Sequence, residues 1–478
     1  MGFSRVRRLL VAVAVTALSA IGPAWPGAAQ PGDRPPGVPP PVDPTARPSQ
    51  TSVAAMPYLV NNRVTRQVGP VQQQAPCQQG TGERLRHLDA EPAAQRRLRI
   101  REAQELATGR GQRVAVIDSG VQPHPRLRGR VIDGGDYIEN RSGLFDCDGH
   151  GTAVAGLIAA APDPATGFVG VAPDAQILAI RQASTFYAVP LQELATGREI
   201  RVPMAGDTVS MARAVMRAVQ LGATVINISE AACFPAEANQ VNAPDLQAAV
   251  HDAVERNVVV VVAAANTSDS CRQNTLAALT TISAPGWFDE DVLTVAATDD
   301  SGQAAEYSLR GPWVDVAAPG SAAVSLAAGG SGLTDELIDT HGQPRSLEGT
   351  SFATAYVAGL VALVRERFSA LNARQVMARI ERTARRPAGA GGRTEDLGYG
   401  TVDPVAALTA VLPGEQPSPA RPAGAATLAP APPAQPPSTR PRTVALAGSA
   451  AALAVLGLTL VIGHAVRRHQ GDQRLNSR

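Results

Sequence analysis

The chain has 478 residues, with 43 basic and 42 acidic side chains and a formal net charge of +1. Near-neutrality removes any electrostatic argument for a nucleic-acid or acidic partner. The length suffices for one large domain with attachments, and the basic residues are all arginine.

Residues 1–29 read as a secretory signal peptide. Arg5, Arg7 and Arg8 make a basic start, the apolar stretch 9–21 is shorter than a membrane span, and Gly27-Ala28-Ala29 offers small residues before a cut after Ala29. Residues 30–100 form an N-terminal extension. Its start, to about residue 60, is rich in proline and glycine with little apolar periodicity. It is expected to be extended or disordered rather than a folded domain of its own. Residues 101–412 alternate apolar runs with helical patterns. Strands are expected at 114–118, 177–181, 224–229, 258–263 and 292–296, and helices near 150–160, 208–222, 245–257 and 351–368. That alternation predicts an α/β fold, a parallel sheet flanked by helices on both faces. Residues 182–206 follow a strand and carry prolines and charges, so they read as a surface insertion and contact loop. Residues 413–442 are a proline/alanine-rich linker, expected to be an extended spacer. Residues 443–466 contain an uninterrupted apolar run from Val444 to Val466, long enough to cross a bilayer as one helix. Arg467, Arg468 and Arg474 then place the tail, residues 467–478, in the cytoplasm. The expected layout is a single-pass cell-membrane protein whose large domain is extracytoplasmic.

Three stretches carry the chemistry: Val114-Ala115-Val116-Ile117-Asp118-Ser119-Gly120, Asp148-Gly149-His150-Gly151-Thr152 and Gly349-Thr350-Ser351-Phe352-Ala353. An acid, a base and a hydroxyl appear in that order. A serine hydroxyl is a poor nucleophile at neutral pH; it needs an imidazole to take its proton and a carboxylate to orient that imidazole. Asp118 ends an apolar run, at the carboxyl edge of the expected sheet, where open α/β folds place their sites. Singly, these residues could end a strand, cap a helix or make a turn. In this order they point to acyl transfer.

The four cysteines, Cys77, Cys147, Cys233 and Cys271, suit an oxidising compartment. They allow three pairings. Cys233 follows the strand 224–229 and Cys271 follows 258–263; if those strands are neighbours, Cys233–Cys271 is within reach. A zinc site lacks the close Cys or Cys/His spacing it would need. Asp133, Asp136 and Asp146 are scattered acids without calcium-loop spacing and are expected to be solvated. No metal and no cofactor is expected.

With these motifs the chain resembles the subtilisin-family serine peptidases, and more narrowly the mycosins, membrane-anchored subtilases of type VII secretion systems. The narrower likeness rests on Gly349-Thr350-Ser351-Phe352-Ala353, on Val225-Ile226-Asn227-Ile228-Ser229 followed by Cys233, on Arg181-Gln182 before the insertion, and on the layout of the two ends. It covers roughly residues 80–412. The resemblance implies a subtilisin-like fold and a catalytic set of Asp118, His150 and Ser351, with Asn266 as the oxyanion donor. Asn266 follows Val261-Val262-Ala263-Ala264-Ala265, and Ala265 stands where the family usually has glycine. Asn227, inside a strand, is read as structural. Substrate would add as a strand between Ser229-Glu230-Ala231 and Ala263-Ala264-Ala265. Glu230 occupies the usual leucine position of a Ser-Leu-Gly segment, either shaping the specificity pocket or pointing to solvent. The common Met-Ala-x-Pro-His after the serine is replaced by Phe352-Ala353-Thr354-Ala355-Tyr356. The resemblance also implies the pairings Cys77–Cys147 and Cys233–Cys271, and an extension that stays on the catalytic domain as a permanent part. Its partners would be protein or peptide substrates and the type VII secretion membrane complex. The implied function is endoproteolysis of selected secretion substrates, the alternative a scaffold that stabilises the secretion complex.

Overall fold

The computed structural model describes residues 38–46, 58–60, 63–78, 88, 90–236, 243–276, 278–386 and 392–415. The chain separates into two units, Met1–Ala420 and Arg421–Arg478, and all described residues lie in the first. The expected signal peptide and the apolar run at 444–466 lie outside the described residues. Among the described residues no helix is long and apolar enough to cross a membrane.

The extension supplies three short strands, β1 (Tyr58–Val60), β2 (Arg63–Gln67) and β3 (Gln72–Gln73). Two short helices, α1 (Ala93–Leu98) and α2 (Ile100–Gln104), lead into the domain. There follow β4 (Arg113–Asp118), β5 (Val131–Asp136), α3 (His150–Ala159), β6 (Gln176–Arg181), β7 (Tyr187–Glu193) and β8 (Glu199–Val202). The second half holds α4 (Thr208–Gln220), β9 (Val225–Ile228), β10 (Ala232–Pro235), α5 (Pro244–Glu255), β11 (Val259–Ala263) and β12 (Thr281–Ala284). It continues through β13 (Leu293–Thr298), β14 (Val316–Pro319) and α6 (Thr350–Arg367).

The main sheet is parallel, in the order β14-β13-β11-β9-β4-β6-β5. Its central strands β9 and β11 are buried at every residue. Such strands are covered on both faces and so read as continuous apolar runs. Helices α3 and α6 pack on one another and α4 packs on α5, so two helix pairs flank the sheet. Helix α6 is buried from Thr350 to Val364, as an apolar helix in a core must be. The outer strands β5 and β14 were not anticipated. In β5 the run Asp133-Gly134-Gly135-Asp136 breaks the apolar pattern, and the register shifts between Asp133 and Gly135.

The insertion is not a loop. Residues 187–202 form a hairpin, β7 and β8, paired antiparallel. The other side of β7 takes β2 at residues 191–193 and β3 at residues 187–188. The insertion and the extension therefore make one small sheet with its own apolar cluster, which includes Ala75, Ile138, Tyr187, Val189 and Leu191. Proline at position 190 and the polar turn beyond it conceal the strand in the sequence. Further upstream, Pro40 accepts a hydrogen bond from Gln247 of α5 at 2.7 Å.

Disulfides join Cys77 to Cys147 and Cys233 to Cys271, at S–S distances of 2.08 and 1.95 Å. Cys233 lies on β10, which pairs with β12, and β9 and β11 are adjacent.

Candidate active site

Asp118 is the last residue of β4 and has no exposed surface. His150 is the first residue of α3, after Gly149 in a left-handed turn with φ 76°. The Nδ1 of His150 lies 2.7 Å from Oδ1 of Asp118, and Asp118 Oδ1 also accepts from the Ser119 N–H at 2.7 Å. This contact fixes the imidazole's orientation. Burial works against charge on both groups, but each partner's field prevails. Asp118 is held below the usual carboxylate range by His150, and His150 above the usual histidine range by Asp118 first and Glu230 next.

The loop that delivers His150 is held by two acids. Asp146 is fully buried and accepts from Ser119 Oγ and the Gly149 N–H, each at 2.8 Å, and from Thr152 N and Oγ1 at 2.8 and 2.6 Å. It is not solvated; burial pushes its pKa to about 6 despite the Thr152 bonds. Asp148 accepts from Ser184 Oγ and from Thr185 N and Oγ1 at 2.8 and 2.9 Å, tying the loop to the start of the insertion. The expectation for Asp136 also fails: its carboxylate is buried against Arg181 at 3.0 Å. Asp133 alone of the three is exposed. Neither acid carries a spacing signal: Asp146 is held by Gly149 of its own loop and Thr152 in the first turn of α3 together with Ser119 after β4, and Asp148 by Ser184 and Thr185 of the insertion.

Ser351 lies in the first turn of α6, whose positive end favours negative charge near the hydroxyl. In this structure its Oγ donates to the Ser229 carbonyl at 3.2 Å. Phe352 places its ring 5.3 Å from that of His150. Asn266 follows β11, and its Oδ1 accepts from Thr350 N and Thr350 Oγ1, both at 3.0 Å. With the oxygen engaged, the amide Nδ2 is left as the donor, beside Gly349. Ala265 sits at φ 91°, a conformation that favours glycine. Alanine therefore holds, at the place where the family usually has glycine, a backbone angle that glycine adopts more readily. Asn227 is buried within β9, donating to Ser229 Oγ at 2.8 Å.

Ser229-Glu230-Ala231 and Ala263-Ala264-Ala265 follow and end the adjacent strands β9 and β11. Residues of both segments line a cleft of about 880 Å³ together with His150, Asn266 and Ser351. Glu230 does not point into bulk solvent. A carboxylate oxygen of Glu230, a nitrogen of His150 and an oxygen of Asp118 all lie within 4.8 Å of one another. Burial, then Asp118, pushes the Glu230 pKa to about 7, with His150 opposing. The three could surround a metal ion, but His150 and Asp118 are already bonded to each other, an arrangement suited to proton transfer.

The Subtilase family (Peptidase_S8) profile matches residues 109–401. Mycosin-3 of Mycobacterium tuberculosis (strain ATCC 25618 / H37Rv) is 41% identical over 398 residues, which cover 79% of this chain and 84% of that protein. A structure of the serine protease MycP1, described as an essential component of the type VII (ESX-1) secretion system, superposes with a TM-score of 0.67. It has 38% identity and covers 78% of this chain and 99% of that one. A chain of the intact ESX-5 inner membrane complex gives a TM-score of 0.67 at 36% identity, covering 90% of this chain and 99% of that one.

Proposed function

The chain belongs to the subtilase family of serine proteases, among the mycosins, and from that premise we propose that it is a membrane-anchored extracytoplasmic endopeptidase cleaving selected type VII secretion substrates. The observation that carries the reading is the Asp118–His150 contact of 2.7 Å at a cleft that also holds Ser351 and Asn266. In the proposed reaction the Ser351 hydroxyl turns from the Ser229 carbonyl to His150, which takes its proton as Oγ attacks the scissile carbonyl. The charge on the tetrahedral oxygen meets Asn266 Nδ2 and the Ser351 N–H. Asp118 steadies the imidazolium, which then protonates the leaving amine, and water releases the acyl group by the same steps reversed.

The layout proposed around residues 101–412 is a signal peptide at 1–29, an extension at 30–100, a linker at 413–442, a membrane helix at 443–466 and a cytoplasmic tail at 467–478. A second role, support of the secretion membrane complex, is favoured by one observation. The chain resembles a component of the ESX-5 inner membrane complex over 90% of its own length. Replacing Ser351 by alanine separates the two roles. Peptide cleavage and labelling by serine-directed phosphonates are expected to disappear, with turnover down by about a million-fold. Assembly of the secretion complex should survive the substitution but not a full deletion. Undiminished labelling of Ser351→Ala would refute the nucleophile.

A further inference from the structure

We propose that Glu230 is a specificity-determining residue that selects substrates carrying a basic side chain in the segment passing over His150. This deepens the protease reading above and rests on it. Glu230 is the central residue of a segment along which the substrate strand is proposed to lie, and it lines the cleft. Its carboxylate reaches within 4.8 Å of a His150 nitrogen and an Asp118 oxygen. Among the described residues no N–H or O–H group donates a hydrogen bond to it; its interactions are with the charges of Asp118, His150 and Asp148. A half-buried carboxylate that no protein donor occupies is free to accept from a ligand in the cleft, and a cation there would offset the cost of its partial burial.

Two further acids line the cleft. Asp207 and Asp245 join Glu230 in the cleft wall, and no arginine is among the described residues that line it, although the chain has 43 basic residues, all arginine. Asp207 is already used, its Oδ1 accepting from the Ser210 N–H at 2.6 Å as a helix cap. Glu230 thus stands beside the base with its carboxylate open to a substrate. An arginine guanidinium presents a planar fork of donors matched to a carboxylate. A leucine at this position, usual in the family, would offer only apolar contact.

Pairing also acts on the base. Glu230 helps keep the proton on His150, and a substrate cation placed on Glu230 offsets that field. A basic residue is therefore expected to raise kcat as well as lower KM. The preference should strengthen between pH 6 and 8, as Glu230 ionises against Asp118 at the end of β4, His150 at the start of α3, and Asp148 just before it.

The test uses the full-length protein and peptidyl phosphonates identical except for one residue, scanned as Arg, Gln or Glu along the peptide. At one position the Arg probe is expected to label at least about tenfold faster than the Gln probe, of the order of one charge-assisted pair. Glu230→Gln should bring that ratio near one, and Glu230→Arg should invert it in favour of Glu. Ratios cancel any change in overall rate, and the inversion is a result that a merely structural role would not produce. An Arg/Gln ratio near one at every position, or a ratio unmoved by Glu230→Gln, overturns the proposal while leaving the protease intact. Failure of every probe to label the native protein overturns the protease reading and the selectivity with it.

Discussion

Replacing Cys77 by serine removes the covalent link between the extension and the loop that delivers His150. The bridge closes a sequence separation of 70 residues, and in the chain-entropy model a loop of that size contributes about 4 kcal/mol. The extension would keep the pairing of β2 and β3 with β7 and the packing around Tyr187 and Leu191. It should therefore remain docked, and the loss should appear as global stability. For a domain of this size 1 kcal/mol moves Tm by roughly 2 °C, so the variant should melt about 8 °C lower under non-reducing conditions. Catalysis should change less, because Asp146 and Asp148 hold the histidine loop from independent anchors. Scanning calorimetry, with peptide mapping of the native protein without reductant, checks both points. A Tm within about 1 °C of the parent, or Cys77 found bonded to Cys233 or Cys271, would refute the reasoning. A loss of kcat beyond tenfold would show that the bridge itself positions the base.

Other outcomes follow from the same geometry. In Gly151→Ala the new Cβ would lie 2.0 Å from the Gly120 carbonyl and 3.0 Å from Asp118 Oδ1. Backbone and His150 must shift, at a cost of about 1–3 kcal/mol in stability and about 10²-fold in kcat; an unchanged kcat by peptide hydrolysis contradicts this. Asn266→Ala should lower kcat by about 10²–10³ with little change in KM, and a pure KM effect would remove Asn266 from the oxyanion role. The kcat/KM should rise with pH as His150 loses its proton, with a midpoint above the ordinary 6.5 because Asp118 and Glu230 favour the charged ring. A rate that peaks in acid would point to a carboxylate base instead.

The interior of this fold is written plainly in the sequence, and its margins are not. Strands β4, β6, β9 and β11 are buried on both faces and appear as valine, isoleucine and alanine runs, and the residues of the Asp, His and Ser motifs sit at their ends or at helix starts. Strand β5 is hidden because it must pass close to β6. A Cβ at Gly134 would come within 2.5 Å of the Ile180 side chain and 2.8 Å of the Ala179 carbonyl, and Gly135 beside it sits at φ 111°, so one glycine answers a close approach and the other a backbone angle. The hairpin of residues 187–202 is hidden because β2 and β3, its partners, lie more than a hundred residues earlier. Asp146 is buried rather than solvated because the chain just after it turns back on it: Gly149 and Thr152 supply three of its four donors and Ser119 the fourth, a closure that no spacing pattern marks. Glu230 was visible as a departure from a familiar segment, but its direction depends on where Asp118 and His150 stand.

The shared sheet of extension and insertion also has a meaning for processing. If the chain were cut after residue 77 and the Cys77–Cys147 bridge reduced, so that the extension left, β7 would lose its pairing at residues 187–188 and 191–193. Its main-chain N–H and C=O groups would then face water along a strand with apolar neighbours. Such an open border templates another strand, so a shortened form would recruit a foreign segment or a second copy of itself. Trimming the extension is therefore expected to raise self-association, read by sedimentation or light scattering, before it alters cleavage.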